Sequence, residues 1–310
     1  DLNLLYVGVG NGSMWNYKAR SDAKGDNLFL SSILAINPDN GEYVWHYQTT
    51  PGDDWDYTAT QPLMLLDLEI DGRMRQVIVQ APKNGFFYAI DRATGEFISA
   101  EAFADDVTWA SGVDPDTGRP IETPEARYGR TGEGVYLSPG PTGAHNWPPM
   151  AFNQETGLVY LPAKNNNFFY AMTESLEYTK GVWNTGTIFR GGERPARPEV
   201  RGPTTFLLAW DPAENREVWR VESQGENGGA LSTGGGLVFW GSGDRMVAFD
   251  ARTGEEVWSA EVGRGTSSPM TYAVGGRQYV TILGGRATSG DRPERDAPTV
   301  WTFSLDVPGN

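Results

Sequence analysis

Two turns stand out for the side chains they carry. Asn11 sits in GNGSMWN, and Asp53, Asp54 and Asp56 sit in PGDDWDYTATQP about forty residues later. Amide and carboxylate oxygens are hard donors, and their presence at two turns suggests a site for a hard cation such as calcium. The same stretch has a plainer reading, because a strand followed by Asn-Gly is first of all a hairpin. Lys83, in APKNG, stands beside a second Asn-Gly turn, where a lysine is ordinarily solvated. Deciding between these readings requires the elements that would hold the turns in place.

Those elements are read first from composition. A chain of 310 residues can bury a sizeable core and makes one or two domains. Its 39 glycines, 11 tryptophans, 13 tyrosines and 13 phenylalanines, with frequent Asn-Gly, Asp-Gly and Thr-Gly turns, predict an all-β protein. A net charge of −15 argues against nucleic-acid binding and against docking on anionic lipid. The lack of cysteine excludes disulfides within the chain, cysteine zinc sites and covalent c-type haem. No apolar run approaches the length of a transmembrane helix. The opening DLNLLYVGVGNG reads as a chain already inside a hairpin, which predicts a mature cleavage product or a fragment.

Internal repeats give the architecture. AINPDNGEYVW (35–45), AWDPAENREVW (209–219) and AFDARTGEEVW (248–258) share a frame of alanine, polar turn and tryptophan ten positions on. AIDRATGEFIS (89–99) keeps the frame with Ser99 in the tryptophan place. Each reads as a strand ending near alanine, a tight turn, and a second strand whose tryptophan docks on the neighbouring unit. The strands between these frames complete four-stranded units at a period of about forty residues, the pattern of a β-propeller. The expected blades span 1–50, 60–105, 145–222, 227–262 and 266–306, the first lacking its opening strand and the last its closing one. Segments 106–144 and 164–203 read as insertions covering one face of the ring. A β-sandwich leaves the alanine-to-tryptophan frame unexplained.

With these motifs assembled, the chain resembles a known family. YVGVGNGSMWN, DDWDYTATQP, VQAPKNGFFYAIDRATGE, WASGVDPDTGRPI, GAHNWPPMAFNQETGLVYLPA and ENGGALSTGGGLVFWGS, in this order and spacing, resemble the pyrroloquinoline-quinone (PQQ)-dependent alcohol dehydrogenases. The resemblance implies an eight-bladed propeller of which this chain is the C-terminal five blades. It implies Asn11 and Asp56 as calcium ligands beside the quinone, Asp56 also as the catalytic base, and Lys83, Asn146 and Asn227 as contacts of the cofactor. The glycines after Asn227 would let backbone approach the flat ring. Trp15 would wall the substrate pocket, and serves equally well as a docked structural ring. The alternative for an acidic turn, a solvated carboxylate, fits Asp53 and Asp54 better than Asp56.

Departures from the pattern are also legible. Thr58 stands where lanthanide-using relatives are expected to carry aspartate, which favours calcium, and Glu226 stands where many relatives are expected to carry tryptophan. The family's glutamate metal ligand, the tryptophan beneath the cofactor and the adjacent-cysteine disulfide all belong upstream of Asn11. No Cys-x-x-Cys-His run follows the last repeat, which sets the chain apart from cytochrome-fused members. The implied activity is oxidation of alcohols, with sugars or aldehydes as further substrates. Its implied partners are a cytochrome-type or dye electron acceptor and an N-terminal fragment or second chain completing the propeller, and its implied compartment is the periplasm. The competing classes are a non-catalytic propeller scaffold and a sugar-binding propeller.

Overall fold

The computed structural model describes residues 1–173, 177–189, 193–285 and 297–304. Its framework is a succession of antiparallel sheets whose strands follow one another in sequence order. The first holds β1 (Leu5–Gly8), β2 (Ser32–Ile36) and β3 (Tyr43–Gln48); the second holds β4 (Met64–Ile70), β5 (Arg73–Gln80), β6 (Phe86–Asp91) and β7 (Phe97–Ala102). Strands β8 (Ala110–Val113) and β9 (Pro120–Glu122) pair with each other. Strand β10 (Val135–Leu137) pairs across a long gap with β13 (Phe168–Tyr170). The third sheet has the order β11 (Ala151–Asn153), β12 (Leu158–Lys164), β14 (Thr205–Asp211) and β15 (Arg216–Ser223). The fourth runs β16 (Asn227–Ser232), β17 (Leu237–Ser242), β18 (Arg245–Asp250) and β19 (Glu256–Glu261). The fifth runs β20 (Met270–Val274), β21 (Arg277–Gly284) and β22 (Thr299–Ser304). The only helices among the described residues are the short α1 (Tyr17–Ser21) and α2 (Tyr128–Thr131), and none is long and apolar enough to cross a membrane.

The repeat frame has a direct structural meaning. Ala35 lies opposite Trp45, Ala209 opposite Trp219, and Ala248 opposite Trp258, each beside a register shift in its hairpin. The bulge adds twist and sends the indole out of its own sheet. Trp45 lands on Gly95, where an added Cβ would lie 2.7 Å from the ring, and Trp219 lands on Gly254 in the same way at 2.8 Å. Both glycines have positive φ and close the Asp-x-x-Thr-Gly turn of the following sheet. Tyr6 packs beside Trp45 at 5.7 Å and Tyr160 beside Trp219 at 5.7 Å, both ring pairs tilted. Ser99 occupies the corresponding place opposite Ala89, and there Phe97 provides the ring instead, packing under Gly118.

The chain divides into two compact units. One comprises Asp1–Trp147, Asn165–Gly202 and Ala213–Asn215; the other comprises Pro148–Lys164, Pro203–Pro212 and Arg216–Asn310. The core of the first gathers Trp15, Trp45, Trp55, Tyr57, Tyr88, Trp109, Tyr128 and Tyr170 around Ile33 and Ile78. The two segments expected as insertions therefore contribute Trp109, Tyr128 and Tyr170 to this core. The second unit buries Tyr160, Leu207, Trp240 and Phe249 in one cluster and Met246, Val280 and Ile282 in another.

Candidate active site

The acidic turn is built from alternation. Trp55 and Tyr57 are fully buried, and residue 56 between them faces the other way. The Trp55 indole N–H donates to the Ala126 carbonyl at 2.9 Å, and the Tyr57 hydroxyl donates to the Pro139 carbonyl at 2.6 Å. Asp56 itself has φ 65°, a left-handed conformation that is uncommon outside glycine and that Asp tolerates better than most. Its carboxylate Oδ2 accepts a hydrogen bond from Lys83 Nζ at 2.9 Å, and its main-chain carbonyl accepts a second from the same nitrogen at 3.0 Å. Burial pushes the Asp56 carboxyl up from its ordinary value, and the ammonium charge of Lys83 works against that shift.

Lys83 is buried, so the solvated-lysine reading gives way. The loop after β10 closes over it: Ala144 N–H donates to the Lys83 carbonyl, and a Cβ on Gly143 would lie 2.5 Å from the lysine stem. Asn11 approaches from the first sheet. Ala59 N–H donates to the Val9 carbonyl at 3.1 Å, while a side chain at Gly8 would overlap the Ala59 carbonyl. This pairing runs the segment between β1 and Asn11 alongside the chain that leaves Asp56 and Tyr57. Asn11 Nδ2 donates to Gly12 O at 3.2 Å, and no donor among the described residues uses its Oδ1.

Asp53 and Asp54 contradict the expectation of solvated turn acids. Both are buried, because the segment after β9 covers them. Arg127 lies over the rings of Trp55 at 4.5 Å and Tyr17 at 4.7 Å, binds Glu122 and the carbonyls of Pro51 and Gly52, and stands 3.7 Å from Asp54. Burial raises the Asp54 carboxyl to about 6, against the pull of Arg127 and the Tyr17 N–H that Asp54 accepts. Burial raises Asp53 to about 7, although its Oδ1 accepts the N–H groups of Trp55 and Tyr57. Arg20 ties the same turn to the Trp15 segment, donating to the carbonyls of Met14, Trp15 and Asp53. Arg20 and Arg127 were missed by sequence reasoning, and so was the burial of Asp53 and Asp54. The local signal was the aromatic alternation around Asp56, which marks a buried rather than a solvated turn.

The remaining candidates are distributed differently. Trp15 is 7% exposed, its N–H donates to Thr185 O, and its ring meets Phe189 edge-on at 4.9 Å. Asn146 is half-buried; its amide donates to Thr142 O and accepts from Trp147 N–H, and it follows the Ala144 anchor on Lys83. Asn227 belongs to the second unit, where it donates to Ala163 O at 3.0 Å and accepts the Trp240 indole N–H at 2.8 Å. The glycines after it have a packing reason: a Cβ on Gly228 would lie 2.7 Å from Ser267 O, and one on Gly229 would lie 2.5 Å from Pro149.

Comparison with known proteins decides what this arrangement belongs to. The profile of the glucose/ethanol/alcohol dehydrogenase β-propeller domain, of the PQQ type, matches residues 1–100 and 202–280, more than half of the chain. The chain belongs to this PQQ dehydrogenase family. The quinohaemoprotein alcohol dehydrogenase of Comamonas testosteroni is 47% identical over 98% of this chain and 44% of its own length. Its crystal structure matches with a TM-score of 0.87, covering 98% of this chain and 46% of that one. The 1-butanol dehydrogenase (cytochrome c) of Thauera butanivorans is 46% identical over 94% of this chain and 44% of its own length. A europium-containing methanol dehydrogenase is 31% identical with a TM-score of 0.81, covering 92% of this chain and 49% of that one. The sheets of this PQQ dehydrogenase chain are thus blades of a β-propeller, and the chain spans less than half the length of these relatives. For that reason the lack of a Cys-x-x-Cys-His run does not set it apart from the quinohaemoproteins.

The side chains present fit a quinone and an oxygen-bound cation. An ammonium has three donors, and Lys83 gives two of them to Asp56, which leaves one for a cofactor oxygen. The Oδ1 atoms of Asn11 and Asp56 accept no hydrogen bond from the described residues, so each remains available as a hard ligand. Calcium takes about six to eight oxygens. No cluster of three or more His, Cys, Asp or Glu side chains occurs among the described residues, so a complete coordination shell would draw on the cofactor or on other residues.

Proposed function

We propose that this chain carries the catalytic half-site of a PQQ- and calcium-dependent alcohol dehydrogenase, with Asp56 as the general base. The observation that carries the proposal is the Asp56–Lys83 pair, in which a largely buried carboxylate at a left-handed residue is held 2.9 Å from a buried ammonium. Asp56 takes the hydroxyl proton of the alcohol on its carboxylate; burial raises its proton affinity, which suits that task, while the Lys83 charge works against the rise. Lys83 would offer its remaining N–H to a cofactor oxygen on which negative charge would grow. When bound, PQQ supplies the two-electron acceptor for the alcohol's carbinol hydride. Asn11 and Asp56 would contribute side-chain oxygens to the calcium, Asn146 and Asn227 would border the cofactor, and Trp15 would close the substrate side.

Several parts of the proposal have separate support. Alcohols as substrates are supported by the relatives, which are alcohol dehydrogenases, and a cytochrome acceptor by the Thauera 1-butanol dehydrogenase (cytochrome c). Completion of the propeller by N-terminal blades accords with coverage of less than half of those proteins. Thr58 two residues past Asp56 supports calcium over a lanthanide. A periplasmic location rests on the family resemblance. The deciding experiment uses the full-length protein loaded with PQQ and calcium. Asp56→Asn should cut kcat by about 10²–10⁴-fold at matched cofactor occupancy, and turnover near that of the unaltered protein would reject Asp56 as the base. Chelation should abolish turnover and calcium should restore it; full activity in metal-free buffer would remove the cation from the proposal.

A further inference from the structure

We infer that Asp53 is the positioning residue of the base, its carboxylate clamping the two backbone N–H groups that flank residue 56. The inference rests on Asp56 acting as that base. Asp53 Oδ1 accepts from Trp55 N–H at 3.2 Å and from Tyr57 N–H at 3.0 Å, so one oxygen ties together the 54–55 and 56–57 peptide units that bracket Asp56. Between these two anchors residue 56 adopts φ 65°, and its side chain turns to Lys83. A left-handed non-glycine residue carries a backbone cost that its surroundings must offset. The aromatic side chains of Trp55 and Tyr57 are pinned separately, but those bonds hold rings and not the peptide units beside Asp56.

The cost of the arrangement marks it as more than a turn cap. Asp53 is fully buried, its Oδ2 has no hydrogen-bond partner, and no ion pair among the described residues reaches its carboxylate. The nearest guanidinium contact, from Arg20 at 2.6 Å, goes to the Asp53 main-chain carbonyl. A residue chosen only for burial would be apolar, and one chosen only to cap a turn would keep contact with water, as the half-buried Asp250 does. What remains useful at position 53 is an acceptor at the right reach, and asparagine would supply the same one.

The test therefore separates acceptor from charge, in full-length protein loaded with PQQ and calcium. Asp53→Ala removes the clamp and should lower kcat by at least about tenfold with KM within about twofold, since small misplacements of a reacting group are costly. Asp53→Asn keeps the acceptor and should rescue most of that loss. A crystal structure of Asp53→Ala should show residue 56 away from the left-handed region and the Asp56–Lys83 bond broken. If Asp53→Ala does not fold, Asp53→Ser, whose single short acceptor cannot span both N–H groups, takes its place under the same criteria. Unaltered kcat in the alanine or serine variant overturns the inference, and so does an asparagine variant that falls as far as alanine. Failure of the base assignment reads differently: Asp56→Asn would then stay active, while the geometry of Asp56 in the Asp53→Ala crystal would still judge the clamp.

Discussion

Two kinds of acidic turn in this molecule use the same bonds to opposite effect. Asp250 opens an Asp-x-x-Thr-Gly turn and accepts the N–H groups of Arg252 and Thr253; Asp53 accepts those of Trp55 and Tyr57. At Asp250, which is solvated, the bond from Arg252 and then that from Thr253 hold the carboxyl below its ordinary value. At Asp53 burial outweighs the bonds and lifts the carboxyl to about 7. Two hydrogen bonds to a carboxylate thus stabilise its charge only while water does the rest of the solvation. The repeat turn is cheap and structural. The turn at Asp56 concentrates three carboxyls and an ammonium out of water, which is where proton affinities move into a useful range.

Breaking the electrostatics of the second turn should give the largest effect. Lys83→Met removes the cation that lowers the proton affinity of Asp56, so the acid limb of the kcat/KM profile should move to higher pH. Turnover should fall by about 10²–10³-fold, the usual loss of one strong electrostatic donor. An unshifted acid limb in the assembled holoenzyme would separate Lys83 from the base. Next comes the repeat turn in its own role as a socket. Gly95→Ala places a methyl 2.7 Å from the Trp45 ring at a residue with positive φ, and should cost about 1–3 kcal/mol in denaturant unfolding. Gly72→Ala, with φ also positive but open space around it, should cost less than Gly95→Ala; equal losses would show that φ alone accounts for both.

A smaller effect should appear in the pH dependence of stability, with opposite signs for the two turns. The folded pKa of Asp53 lies above its unfolded value, so the associated stability is fully present below the unfolded pKa and is lost as pH rises through about 7. Asp53→Asn should flatten the melting temperature across that range, and an unchanged slope would assign it to other groups. Asp250 has a lowered folded pKa, so its contribution is present above the ordinary carboxylate value and lost as pH falls through the folded one. Asp250→Asn should give the smallest change of all, confined to stability and leaving kcat and KM untouched. A fall in kcat in that variant would erase the distinction between the turns.

Much of the architecture was legible because it is local and repeated. The alanine-to-tryptophan spacing encodes a bulged hairpin, and the Thr-Gly turn three to four residues after aspartate encodes the socket, so strand order and aromatic packing follow from ten-residue windows. The Asp56 and Lys83 assignments came from motif resemblance, and the chemistry of either residue alone gave no such lead. The burial of Asp53 and Asp54 was not legible. It depends on Arg127 reaching back more than seventy residues, and on Tyr128 and Trp109 packing over the turn. The pairing of β10 with β13 likewise joins segments that read separately as insertions. Local pattern identifies a turn, whereas the cover placed over it is a property of distant sequence.

The glycine sockets have a consequence for where each joint is encoded. Trp45 belongs to the first sheet and its Gly95 to the second; Trp219 belongs to the third and its Gly254 to the fourth. Plug and socket of these two joints are therefore encoded in different repeats: the first and third sheets supply the plug, and the second and fourth supply the socket. Where a repeat lacks its plug, as at Ser99, a substitute must be improvised from another position, and Phe97 under Gly118 is that improvisation.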